Sequence, residues 1–188
     1  MNLELNMNLE CLMFVKNHDD MGYRLVRHLK HDPWVRQVLD MLYSNFVQTD
    51  NHTWKDISNT SRTYPQTVVN TITTSYGVDT YGIVVGTGTN AVGVSDYTLH
   101  TKIANGSGAG QLYYLACYKN APSLSGSTYT TEWYREFRNI SGGLITVEEV
   151  GIYGLNTYSF LLARDLTGGV AVPDKNTLFV KYRFATTV

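Results

Sequence analysis

Strict alternation opens the chain. Leu3, Leu5, Met7, Leu9 and Cys11 fall on one side of a two-residue period, and Asn2, Glu4, Asn6, Asn8 and Glu10 on the other. A period of two sends alternate side chains to opposite faces, so residues 1–11 predict a strand with one buried face. The turn formers Asn17-His18-Asp19-Asp20-Met21-Gly22 follow, and Tyr23–His28 can return as the second strand of a hairpin. The period then changes. Asp32 is a good N-cap and Pro33 suits a first helical position. Val35, Val38, Leu39, Leu42, Tyr43 and Phe46 recur at helical spacing, which predicts one amphipathic helix over Pro33–Val47 with Arg36, Gln37 and Asp40 facing outward.

From Gln48 to Ser75 the chain is polar and rich in Thr and Asn, with Pro65 inside it. It reads as a long surface excursion with short strands at Arg62–Tyr64 and Thr67–Ile72. From Tyr81 onward apolar or alternating runs predict strands at Gly82–Gly86, Leu112–Tyr118, Thr128–Arg138, Leu144–Val147, Val150–Tyr153 and Tyr158–Ala163. On Thr128–Arg138, Tyr129, Thr131, Trp133, Arg135 and Phe137 share a face. On the last strand Leu178, Val180, Tyr182 and Phe184 share one, opposite Lys181 and Arg183. Turns are expected at 105–108, 125–127, 141–143, Gly168-Gly169 and Pro173-Asp174, and a short helical turn at Ser95–Leu99. The expected class is mainly β: a single domain over 1–188, β-sandwich or jelly-roll-like, with an N-terminal β-hairpin and one amphipathic α-helix in 1–47, a polar excursion in 48–80 and a sandwich core in 81–188.

Composition sharpens this. Charged residues make up 16% of the 188, against roughly 25% in typical soluble domains. Two readings fit equally: a protein that buries much of its surface against neighbours, as in self-assembly, or an ordinary all-β protein with a neutral polar surface. A formal charge of −1 and a pI near 6.5 give no basic footprint, so neither nucleic acid nor an anionic membrane is an expected partner. No apolar run reaches the length of a membrane span. The two cysteines, Cys11 and Cys117, are too few for a disulfide framework and lie in strand-like stretches, so buried free thiols are expected. The N-terminus lacks a basic region and Glu4 and Glu10 interrupt its apolar residues, so no signal peptide is read there.

Candidate chemistry is thin. Gly86-Thr87-Gly88-Thr89-Asn90 resembles a phosphate loop, but Ala91-Val92-Gly93 stands where a Lys-Ser/Thr pair and a helix are required. A β-turn with glycines at positive φ accounts for it better. His28 and His31 beside Asp32, or His18 with Asp19 and Asp20, have metal-like spacing without a third histidine nearby, and read as polar loop side chains. Asp165 with Glu148 or Glu149 could pair as acid and base, although Arg164-Asp165 reads better as an ion pair or cap at a strand end. Trp133 and Tyr134 could offer a platform for a sugar, but alternation lets only one of them face outward. The Asn-x-Ser/Thr triplets at Asn51, Asn59, Asn105 and Asn139 follow from composition. No catalytic, cofactor-binding or metal-ligating residue is assigned.

One resemblance remains. Asp79-Thr-Tyr-Gly-Ile-Val-Val-Gly-Thr-Gly-Thr89, Asp96-Tyr-Thr-Leu99 and Gly110-Gln-Leu112-Tyr113 look like the ordered words of a set of uncharacterised tailed-bacteriophage virion proteins. The stretch from Phe137 to Tyr153, with Ser141-Gly-Gly-Leu-Ile-Thr-Val-Glu-Glu-Val-Gly-Ile-Tyr153 inside it, is similar to a phrase of phage tail and fibre-attachment proteins. There it is followed by a strand like Phe160-Leu-Leu-Ala-Arg-Asp165. The helix segment Val35–Phe46 also looks like one such proteins carry. The likeness runs over about 33–188, less the polar excursion. It implies a non-enzymatic structural subunit of a phage particle (collar or neck, tail, or capsid decoration), made in the host cytoplasm, partnered by itself and other virion proteins and needing no cofactor. The alternative is a carbohydrate-binding β-sandwich module, itself possibly virion-borne, for which a solvent-facing aromatic cluster would speak.

Overall fold

The computed structural model describes residues 6–17, 19, 22–30, 34–38, 53–63 and 71–187. Ten strands carry their regular structure: β1 (Asn6–Lys16), β2 (Arg24–Lys30), β3 (Thr53–Lys55), β4 (Ser61–Thr63), β5 (Gly82–Gly86), β6 (Tyr113–Ser125), β7 (Thr128–Arg138), β8 (Ile145–Leu155), β9 (Ser159–Val172) and β10 (Thr177–Thr187). Every strand ladder is antiparallel. A five-stranded sheet runs β2-β1-β10-β7-β6, a three-stranded sheet β5-β8-β9, and β3-β4 form a small ribbon. The chain is mainly β.

The N-terminal alternation persists beyond Cys11, and so does the strand. Leu9, Cys11 and Met13 are buried, and the turn begins at Asn17. Register Leu9↔Phe184 and Met13↔Val180 joins β1 to the last strand, so the hairpin is an integral part of the five-stranded sheet. Leu178, Val180 and Tyr182 of β10, Phe137 of β7 and Tyr114 and Cys117 of β6 bury their side chains in a cluster shared with Ile83, Val85, Val150, Ile152 and Phe160 of the other sheet. All five residues of β5 are buried, which is why it reads as an unbroken apolar run instead of an alternating one. Cys11 and Cys117 are free, buried thiols.

Several expectations change. Of the helix expected over Pro33–Val47, residues 36–38 are helical, and those from 39 onward lie outside the described residues. Val35 and Val38 are buried as the spacing predicts, but Gln37 is buried too, its amide donating to the Leu161 carbonyl at 3.3 Å. Helical periodicity placed Gln37 outward; the adjacent sheet reaches round to cover it. Ser95–Leu99 forms no helix. The Asp96 carboxylate accepts from the Gly93 amide behind it and from Arg164, and these bonds hold the segment as a loop.

The polar excursion contributes to the core. β3 and β4 pair through a turn organised by Asp56, whose carboxylate accepts from the Ser58 and Thr60 amides and from Arg62. Trp54 between them is buried against Phe160, ring centroids 5.3 Å apart. The strand expected at Thr67–Ile72 falls largely outside the described residues; Thr71 makes a single bridge to Leu155.

The strands expected at Leu144–Val147 and Val150–Tyr153 are one strand, β8, and Leu144 before it is exposed. Its partner β9 runs straight through Gly168-Gly169, where a turn was expected. Register passes from Glu149↔Leu166 to Val147↔Val170, so three residues of β9 face one of β8. The glycines take φ of 66° and 83° there, and Thr167 donates to the Val147 carbonyl. Paired glycines at positive φ signal a bulge as readily as a turn.

Candidate functional site

Because Leu9, Cys11 and Met13 point into the core, Glu10, Leu12, Phe14 and Lys16 point to the opposite, outer face of the five-stranded sheet. Register carries that face across the sheet. Leu25 stands beside Phe14, Phe14 beside Phe179, Phe179 beside Glu136; one row on, Leu12, Lys181, Tyr134 and Tyr118 are neighbours; in the next row come Glu10, Arg183, Glu132 and Asn120.

The rings on this face touch. Phe179 is the hub, with centroids 5.3 Å from Tyr23, 5.7 Å from Phe14 and 5.8 Å from Tyr134; Tyr118 continues the row 5.7 Å beyond Tyr134. Tyr76 adds a sixth ring through a hydrogen bond with Tyr118 that raises the Tyr118 phenol above its ordinary value. Burial, then a hydrogen bond to the Glu136 carboxylate, pushes the Tyr23 phenol up. These groups remain wet: Tyr118 is 48% exposed, Leu25 49% and Tyr76 60%. Charges of both signs flank them. Lys16 lies over the Tyr23 ring at 5.6 Å, Lys181 pairs with Glu132 at 3.3 Å, and Glu10 sits 3.4 Å from His28 and 4.0 Å from Arg183. Contiguous exposed rings with a charged border have the anatomy of a protein interface.

The buried Glu149–Arg164 pair is bound up by the protein's own groups. Glu149 is fully buried; its carboxylate accepts from the amides of Gly88 (3.2 Å), His100 (3.1 Å) and Thr101 (2.7 Å) and from Arg164 (2.8 Å). Arg164 then reaches Asp96 at 2.9 Å and the carbonyls of Asn90 and Ala91. This explains the glycines of the phosphate-like loop. Neither Gly86 nor Gly88 has positive φ, contrary to the turn expected there. A Cβ on Gly88 would stand 2.5 Å from the Glu149 carboxylate, so close approach is what requires glycine.

Asp165 lies on the other face of its strand from Arg164. It is buried, and its Oδ2 accepts from the Tyr182 hydroxyl at 3.3 Å. Burial pushes its carboxyl up to about 7, the Tyr182 bond and Arg164 pulling weakly back. Burial likewise pushes the Cys11 thiol up, with Asp165 adding to it. Glu149 and Asp165 therefore occupy opposite faces of the three-stranded sheet and share no cleft, and Arg164-Asp165 lies within β9, not at a strand end. Glu148 is half-buried beside Gly169.

The other sequence candidates separate in the same way. His28 is on the outer face beside Glu10, while His18, His31 and Asp32 lie outside the described residues. Among the described residues no three His, Cys, Asp or Glu side chains cluster as metal ligands, and no helix is long and apolar enough to cross a membrane. Trp133 faces inward, half-buried against the core, and Tyr134 outward into the aromatic row. Asn139 is buried, spanning the Gly143 and Val172 carbonyls.

Compared with protein-family models, curated proteins and solved structures, the chain matches none.

Two features escaped the sequence reading. Arg135, placed on a strand face, is fully buried and donates to the carbonyls of Leu115 (2.7 Å), Ile83 (2.9 Å), Tyr81 and Val78 while lying over Tyr114. Nothing in the local pattern separates a carbonyl-bound arginine from a solvated one. The Phe179 hub did have a signal: by parity it falls with Lys181 and Arg183, so an aromatic was already on the outward side of the last strand.

Proposed function

We propose that this protein is a non-enzymatic architectural subunit, a two-layer β-sandwich that assembles with copies of itself and docks on neighbouring proteins of a tailed-phage particle. The observation that carries the reading is the ring cluster around Phe179, half-open to solvent and bordered by charges, on the outer face of the five-stranded sheet; its rings are tilted 31–61° to one another, so they form an uneven patch suited to interdigitating side chains and not the flat platform a sugar ring stacks on. Clustered aromatic side chains lose little entropy on docking and supply most of the energy at interface centres. The charged border fixes register and rejects wrong partners. Low overall charge and the ordered words between Gly82 and Asp165 point the same way, and the particle assignment, with synthesis in the host cytoplasm, rests on those words.

Sedimentation velocity over a range of protein concentrations tests the assembly. The wild type is expected to form larger species as concentration rises. Tyr134→Lys is expected to remove a central contact of about 2 kcal/mol, about a 30-fold weakening, while leaving the melting temperature nearly unchanged. Mass spectrometry of gradient-purified particles tests the location. A wild type that stays monomeric and is missing from intact particles would overturn the proposal.

A further inference from the structure

A separate cleft opens on the inner side of the sheet edge, where β6 and β7 run past the three-stranded sheet. Its volume is ≈ 330 Å³, within the range of small-ligand sites. Trp133, half-buried against the core, lines it. One wall is the Thr71–Thr73 segment. It is fixed at both ends, by Thr71 bridging Leu155 and by Thr74 bridging Cys117, and its two hydroxyls lie 3.1 Å apart. The other wall is β6 from Lys119 to Pro122. Register there slips between Asn120 and Ser123, so the strand bulges at the proline, and bulges recur where a strand is shaped around a site. Lys119 is the one charged side chain among the lining residues.

We propose that this cleft binds a pyranose unit of an oligosaccharide. A pyranose has an apolar C–H face and a belt of hydroxyls at its edge. An indole matches the first. The hydroxyls of Thr71, Thr73 and Thr131 and the Lys119 ammonium match the second; with no carboxylate among the lining residues to repel them, the site admits acidic sugars as well as neutral ones. Backbone pairing at Thr71 and Thr74 ties one wall to both sheets, which lowers the cost of ordering it on binding. The cleft shares no residue with the ring cluster around Phe179, so this inference stands apart from the assembly reading.

The test is a printed panel of hexose, N-acetylhexosamine and uronic-acid oligosaccharides, followed by titration of the best binder into ¹⁵N-tryptophan-labelled protein. Of the three indole signals (Trp34, Trp54 and Trp133) only that of Trp133 is expected to move and saturate. Thr73→Val should weaken binding about fivefold, the effect of one lost hydrogen bond. Trp133→Ala should abolish it, and Trp133→Leu provides the same readout if the alanine variant does not fold. Tyr134→Lys, on the other face, should bind sugar as the wild type does. No saturable response across the panel, or an equal response to glycerol, would overturn the proposal.

Discussion

Asp165 gives the most direct test of how the two sheets are joined. Its carboxyl lies in the core within reach of Tyr182 from the opposite sheet, and burial raises it from the ordinary 3.8 to about 7. A raised acid holds its proton in the folded chain after the unfolded chain has released it. Its contribution is therefore complete below about pH 4 and lost progressively as pH rises to about 7. The displacement of about three units is worth about 4 kcal/mol at 1.36 kcal/mol per unit. The group is 1% exposed, so solvent screening takes little from that figure. Asp165→Asn keeps the shape and an acceptor for Tyr182 and removes the titration. Urea unfolding of both proteins, followed by tryptophan fluorescence from about pH 4 to about pH 8, measures the difference while every other titrating group cancels. The variant is expected to gain on the wild type steadily across that window, by about 4 kcal/mol in total. Parallel stability curves would refute the reasoning and place the carboxyl in contact with water.

Further outcomes follow from the other buried groups. Glu149→Gln leaves Arg164 with Asp96 as its remaining carboxylate and turns an amide N–H toward backbone donors, and should lower stability by about 1–3 kcal/mol in chemical denaturation. Gly88→Ala should cost about 1–3 kcal/mol because its methyl meets the Glu149 carboxylate, whereas Gly143→Ala, with open space and no positive φ, should be near neutral. Gln37→Ala should lower the melting temperature more than Arg36→Ala, since Gln37 is buried and bonded to Leu161 and Arg36 is exposed.

Local pattern made much of this fold legible. Alternation over Thr128–Arg138 and the apolar run Gly82–Gly86 give β7 and β5 with their observed ends, and the two-residue turn at Gly126-Ser127 closes β6 on β7 with Gly126 at φ 59°. What stayed hidden depends on contacts made far along the chain. Gly168-Gly169 reads as a turn until the β8 register is known. Arg135 reads only as a member of a strand face, and Arg164 as a strand-end ion pair or cap, until carbonyls 52 and 74 residues away converge on them. The outward ring cluster combines residues of five chain segments, each contributing one or two aromatics of no distinction alone. The Trp133 cleft depends on a strand bulge that the run Lys119–Ser125 does not announce.

The place of β10 bears on how the protein is made. Last in order of the ten strands among the described residues, it lies between β1 and β7, so both ladders of the sheet's centre await it. The β6–β7 and β8–β9 hairpins close early from near neighbours, but Leu9 meets Phe184 across almost the whole sequence. During synthesis β1 and β7 present unpaired inner edges until β10 is released, and pairings of such separation form slowly. Newly made chains are thus exposed to strand exchange with one another at the step that completes the fold. The assembly proposed above would bring many identical chains together and raise that risk in proportion.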